Sequence, residues 1–301
     1  MNFEKDAIMT EPQLKNLTCL DTTGLHRMAY WEWAGPDADA PVLVCVHGLS
    51  RQGRDFDVLA RAMSSHYRVI CPDVVGRGRS DWLRQPGGYQ IPTYVSDMVA
   101  LLARLDVAQV DWVGTSMGGL IGLGLASLPR PDGLASPIRR LVLNDVGPAI
   151  RYEALQRIGG YLGKVQRFAS LGEGAGYLRS ISEGFGPHTD AEWLALSVPL
   201  FREEGGAWTL RYDPAIALPF SAVTPEIAAA GEVMLWAAYD ALRCPTLLIR
   251  GADSDLLSAE TARAMTQRGP NARLVELPGV GHAPTLIHDD QIAIVRDFLG
   301  S

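Results

Sequence analysis

The sequence predicts an α/β fold: a mostly parallel central sheet with helices on both faces and an inserted helical cap. Three observations predict it. Short apolar runs of strand length recur along the chain with helical patterns between most of them, and continuous apolar runs are what parallel strands covered on both faces require. The rhythm breaks between about Gly147 and Tyr239, where helix-like stretches alternate with glycine and proline and no strand pattern is legible. Finally, Gly114-Thr115-Ser116-Met117-Gly118 stands where an apolar run hands over to a glycine-rich helical segment.

Taken in order, residues 17–21 and 26–33 alternate in polarity and read as an antiparallel pair joined through Thr22-Thr23-Gly24. Strand-like apolar runs follow at 42–46, 68–71, 110–113, 141–143, 246–249 and 273–277. The predicted division is therefore a core made of 1–146 and 240–301, with a cap at 147–239. The cap holds Tyr152, Tyr161, Phe168, Tyr177, Phe185, Trp193, Trp208 and Phe220. Most of these are expected to fill its own small core, and some to line a pocket, since ligand sites favour apolar walls between domains.

Composition narrows the class. A chain of 301 residues, 47% hydrophobic and 20% charged, buries a sizeable core and is neither disordered nor fibrous. A net charge of -7 argues against nonspecific nucleic-acid binding, which needs a basic surface to displace counterions. Met1-Asn2-Phe3-Glu4-Lys5-Asp6 carries both signs of charge and no apolar core of signal-peptide length, and no run of about 18 apolar residues predicts a membrane span. Cys19, Cys45, Cys71 and Cys244 form no C-x-x-C pair and read as buried free thiols in a reducing cytoplasm, without disulfide or metal. Asn16-Leu17-Thr18 is then an accidental glycosylation match.

The chemistry centres on Ser116. G-x-S-x-G between a strand and a helix puts a serine on a sharp turn with its hydroxyl exposed, and side chains at Gly114 or Gly118 would collide with the neighbouring strand and helix. Serine needs a base at neutral pH. His282, in the loop Pro278-Gly279-Val280-Gly281-His282-Ala283-Pro284 after the last predicted strand, is the candidate. His26, His66, His188 and His288 read as surface residues. An oxyanion needs two donors: the backbone N–H of Met117, and that of Leu49 in the loop Val46-His47-Gly48-Leu49, where His47 holds the loop rather than moving protons. Arg51 either meets a substrate carboxylate or is solvated.

With these residues in place the chain resembles the α/β-hydrolase family over nearly its whole length. The motifs are His47-Gly48, Asp73-Val74-Val75-Gly76-Arg77-Gly78-Arg79-Ser80, the turn at Ser116, the cap, and Gly281-His282. Gly76-Arg77-Gly78 is not a dinucleotide loop, because the third glycine and the helix-opening context are missing. The resemblance implies a Ser-His-acid triad, no cofactor, and hydrolysis of an ester or related acyl bond.

The acid is where the sequence departs from the commoner pattern. Ungapped comparison of Gly251-Ala252-Asp253-Ser254-Asp255 puts Ser254 at the usual acid position, with Asp253 or Asp255 reachable by a loop adjustment. Another branch of the family places the acid after the sixth strand, where Leu141-Val142-Leu143-Asn144-Asp145 offers Asp145. Asp145 is preferred over Asp255, which then caps a loop.

The expected activity is cleavage of a small carboxylic ester through an acyl-enzyme on Ser116, with a small-molecule substrate and neither nucleic acid nor membrane as partner. The same residues also serve hydrolytic C–C cleavage of a diketone or haloperoxidase-like perhydrolysis. A non-catalytic ligand-binding or signalling role on this fold is the rival from outside enzymology.

Overall fold

The strands are β1 (Gln13–Asp21), β2 (Gly24–Trp33), β3 (Val42–Val46), β4 (Arg68–Asp73), β5 (Val110–Thr115), β6 (Ile138–Asn144), β7 (Arg167–Phe168), β8 (Phe201–Glu204), β9 (Ala207–Leu210), β10 (Thr246–Gly251) and β11 (Arg273–Leu277), and all but β7 to β9 stand where the apolar or alternating runs predicted them. The helices are α1 (Asp57–Met63), α2 (Ile91–Leu105), α3 (Met117–Ser127), α4 (Tyr152–Gly159), α5 (Leu171–Ile181), α6 (Asp190–Ser197), α7 (Ala217–Ser221), α8 (Pro225–Asp240), α9 (Ala259–Met265) and α10 (Asp289–Leu299). The computed structural model describes residues 11–131 and 134–300. The charged stretch Met1 to Asp6 lies outside the described residues.

Eight strands make one sheet in the order β1-β2-β4-β3-β5-β6-β10-β11. β1 and β2 pair antiparallel, as their alternation predicted, and β2 joins β4 antiparallel. Every pairing from β4 through β3, β5, β6 and β10 to β11 is parallel. All five residues of β3 are buried. Val42, Val44 and Val46 pack into the cluster on one sheet face with Trp112, Ile121 and Leu141, while Leu43 and Cys45 pack on the other with Val113, Val142 and Ile249. This two-sided burial is why the strands read as continuous apolar runs.

β3 is flanked by β4 and β5, so the strand order reverses there, and crevices at the carboxyl ends of strands open at such reversals. The register pairs Val46 with Gly114, which brings the loop after β3 beside the turn that ends β5.

The stretch between β6 and β10 differs from the all-helical expectation. It contains helices α4 to α8, but also a second, three-stranded antiparallel sheet, β7-β9-β8. Strands of two to four residues are too short to show a period of two. The available signal was Gly205-Gly206, both with positive φ, a two-residue hairpin turn between Glu204 and Ala207. Phe168, Leu178, Leu200 and Phe201 form a small core of their own there, with Phe168 and Phe201 edge to face at 5.6 Å. The segment is tied back to the main sheet by backbone bonds from Gly281 N to Gly184 O, from Asp213 N to Gly76 O and from Gly78 N to Arg211 O.

Candidate active site

Ser116 precedes α3 as its N-cap with φ 52° and ψ −116°, a conformation that a non-glycine residue adopts only when its surroundings enforce it. Packing enforces it here. A Cβ at Gly118 would overlap the Val46 carbonyl, and one at Gly114 would overlap the backbone of Gly118. The Trp112 indole donates to Gly118 O at 3.0 Å and fills the space beside Gly122. Ser116 N donates to Asn144 O at 2.9 Å. The turn is thus bolted to both β3 and β6.

Asp145 follows β6, fully buried and also at positive φ. Its Oδ1 accepts from Gly251 N at 2.9 Å, and its Oδ2 accepts from Ser254 Oγ at 2.6 Å and from His282 Nδ1 at 2.7 Å. With the proton on Nδ1 facing the carboxylate, Nε2 of His282 is left to accept from Ser116 Oγ at 3.0 Å. Three residues far apart in sequence therefore form one hydrogen-bonded line, Asp145 to His282 to Ser116.

Asp255 stands apart from this line. Its carboxylate pairs with Arg157 of α4 at 2.6 Å, with both side chains nearly half exposed. It does not cap a loop, as the sequence reading had it. Ser254, aligned with the commoner acid position, is buried and feeds its hydroxyl proton to Asp145 while accepting from Leu256 N and Leu257 N. A small polar residue at that position beside an acid after β6 was the signal for this role.

Leu49 lines the same cavity as Ser116, and a Cβ at its neighbour Gly48 would sit 3.8 Å from Ser116 Cβ. Leu49 and Met117 amides have no protein acceptor among the described residues. His47 is fully buried between Gly48 O, 2.7 Å from Nδ1, and Val74 N, 3.0 Å from Nε2. A backbone N–H aimed at Nε2 fixes the neutral tautomer, and burial drives its pKa down to about 3. Arg77, overlooked in the sequence, is wholly buried. Its guanidinium donates to Leu49 O at 2.8 Å, to Val75 O and to Tyr94 Oη, and lies 3.6 Å from Met117 Sδ. It braces the loop after β3 against the turn after β5. Asn144, also overlooked, ties Thr115 Oγ1 to Pro284 O through its side-chain amide.

A cavity of about 80 Å³ opens beside Ser116, walled by Leu49, Tyr161, Tyr177, Phe185, Leu210 and Tyr212 among others. Tyr161, Tyr177 and Phe185 were among the aromatic candidates, whereas Phe168 serves the local core. Trp193 stacks behind Phe185 at 5.9 Å.

Of the remaining histidines, His66 is exposed and His188 and His288 are half-buried, their rings 4.9 Å apart. His26 departs from the surface expectation. It is buried with Nε2 3.1 Å from Asp97, a partner brought by α2 across the strand pair that sequence spacing does not reveal. His26, Asp97 and Cys19 offer ligand atoms within 4.8 Å of one another, but the carboxylate already binds the imidazole. All four cysteines are free and buried. No helix among the described residues is long and apolar enough to cross a membrane.

A strand-order reversal, a serine on a strained turn, an imidazole linked to a buried carboxylate and two open amides are the parts that hydrolysis by a serine requires. Residues 43–296 match the model of the alpha/beta hydrolase family, and the chain belongs to that family and is a hydrolase of ester bonds. It is 52% identical to the 3-hydroxybutyrate-oligomer hydrolase of Cupriavidus necator over 95% of this chain and 97% of that one. It is 30% identical to the pimeloyl-[acyl-carrier protein] methyl ester esterase of Xanthomonas campestris, covering 84% and 92% of the two chains. An alpha/beta hydrolase crystal structure from Novosphingobium aromaticivorans superposes with a TM-score of 0.84 at 35% identity, over 97% of this chain and 99% of that one.

Proposed function

We propose that this hydrolase cleaves short oligomeric esters of hydroxy acids, of the 3-hydroxybutyrate type, through an acyl-enzyme on Ser116. The observation that carries the mechanism is the line of hydrogen bonds at 2.7 and 3.0 Å from Asp145 through His282 to Ser116. The substrate class rests on the 52% identity to a 3-hydroxybutyrate-oligomer hydrolase over nearly the full chain.

Ser116 Oγ attacks the ester carbonyl as its proton passes to His282 Nε2, and Asp145 stabilises the imidazolium formed. Amides of Met117 and Leu49 receive the oxyanion. Collapse of the tetrahedral intermediate breaks the C–O bond, and the leaving alkoxide takes the proton from His282. Water then enters, gives a proton to His282 and attacks the acyl carbon. The carboxylic acid departs, and Ser116 regains its proton.

The segment 147–239 acts as the cap in this reading, because its Tyr161, Tyr177 and Phe185 wall the cavity beside Ser116. Cytoplasmic residence is supported by four buried, unpaired cysteines.

The test is product analysis of wild type and Ser116→Ala on 3-hydroxybutyrate dimer and trimer, a simple aryl ester and a vinylogous diketone. Wild type should release monomer from the oligomers and the variant should release none. Cleavage of the diketone without turnover of any ester would instead establish the C–C hydrolase reading.

A further inference from the structure

Arg51 is a charged residue beside the reacting serine that the mechanism leaves without a part. A Cβ at Gly48 would lie 3.8 Å from both Arg51 Cγ and Ser116 Cβ. Arg51 lines the cavity beside Ser116 and a second, smaller one next to it that reaches Asp55 and Thr285. It is not solvated. Its side chain is 11% exposed, and its guanidinium lies 5.4 Å from the centroid of the Phe185 ring.

The donors can be counted. Nε and Nη2 donate to the two Asp55 carboxylate oxygens at 2.6 and 2.8 Å, and Nη2 also donates to Leu196 O at 3.1 Å. A guanidinium has five N–H groups in a rigid fork. The two on Nη1 have no acceptor among the described residues. Asp55 already neutralises the charge, so a substrate carboxylate would meet Asp55 repulsion in a mostly enclosed place. A neutral oxygen meets no such repulsion and satisfies the open N–H groups.

We propose that Arg51 Nη1 is the donor that recognises a neutral oxygen of the substrate chain flanking the scissile ester, a hydroxyl or the next ester carbonyl. This rests on the hydroxy-acid reading of the substrate. Hydroxy-acid oligomers carry such an oxygen every few atoms, whereas a plain alkyl ester carries none. A site built to donate rejects the analogue lacking the acceptor, because binding it strips water from the N–H groups and leaves them unpaired.

The experiment compares kcat/KM of wild type and R51M/D55N, a pair that leaves no lone buried carboxylate. The three substrates are the methyl ester of the 3-hydroxybutyrate dimer, the free-acid dimer and the oxygen-poor ester 2-pentyl pentanoate. Wild type should prefer both dimers, and in the variant that preference should fall by about tenfold or more, the scale for a lost hydrogen bond to a charged group. R51K, which keeps the charge but not the fork, should give an intermediate ratio. A wild type with no preference overturns the substrate class and the role of Arg51 together. A preference that survives in R51M/D55N overturns Arg51 alone, and a loss confined to the free acid overturns it in favour of carboxylate capture.

Discussion

Ser254 Oγ donates to Asp145 Oδ2 over 2.6 Å, joining the position where related enzymes commonly carry their acid to the residue that holds His282. The carboxylate therefore has three donors, Gly251 N, Ser254 Oγ and His282 Nδ1. Such bonds favour the ionised form and fix its orientation. Ser254→Ala should lower kcat about tenfold with KM little changed, as expected for a lost hydrogen bond to a charged group. Steady-state kinetics with a soluble ester decide it, and wild-type kcat would remove Ser254 from the account.

The same pair allows the acid to be moved. Asp145→Asn should lower kcat by roughly 10³ to 10⁴, the scale for losing the residue that sets the histidine tautomer. Adding Ser254→Asp to that variant should restore part of the loss, since the new carboxylate reaches the site from β10. Asp255→Asn, which breaks only a half-exposed pair with Arg157, should retain most activity. Near-normal turnover in folded Asp145→Asn would return the acid to the loop after β10.

Arg77 should matter without touching substrate. It holds Leu49 O and packs on Met117 Sδ, the two residues whose amides are assigned to the oxyanion. Arg77→Lys keeps the charge and loses the fork. The expected result is a fall in kcat of up to about 10², the scale for a small misplacement of catalytic groups. An unchanged melting temperature would separate this from unfolding, and an unchanged kcat would show that the loop holds itself.

How much of this was legible in the sequence follows from the range of the forces involved. β3 and β5 announced themselves because both faces are buried, and the turn at Ser116 because steric demand at Gly114 and Gly118 leaves only glycine. His282 and Asp145 were readable as motif positions. Arg77 and Asn144 were not, because each acts through a hydrogen bond to a residue distant in sequence, and spacing encodes no such partner; for Ser254 its place at the commoner acid position, beside an acid after β6, was the one signal. His26 misled for the same reason, its partner Asp97 standing 71 residues away. The small sheet β7-β9-β8 was hidden by its length.

Two buried groups give stability a pH signature. His47 is held neutral with its pKa lowered from 6.5 to about 3, so its contribution is complete above 6.5 and is lost as pH falls toward 3. Burial raises Asp73 from 3.8 to about 6 against the bonds it accepts from Gly53 N and Arg79 N, so its contribution is present below 3.8 and lost as pH rises through 6. The two oppose each other between about pH 4 and 6. Melting temperatures from pH 7.5 to 4 should fall less steeply in His47→Gln than in wild type and more steeply in Asp73→Asn. Parallel curves for all three would contradict these assignments.

The central claim, that His282 and Asp145 activate Ser116 as the nucleophile, is met most directly by intact-mass and peptide analysis after treatment with a fluorophosphonate. One adduct per chain is expected, on the peptide containing Ser116, absent in Ser116→Ala and strongly slowed in His282→Ala. No adduct on folded wild type, or an adduct on another residue in a Ser116→Ala protein that still cleaves esters, would contradict it.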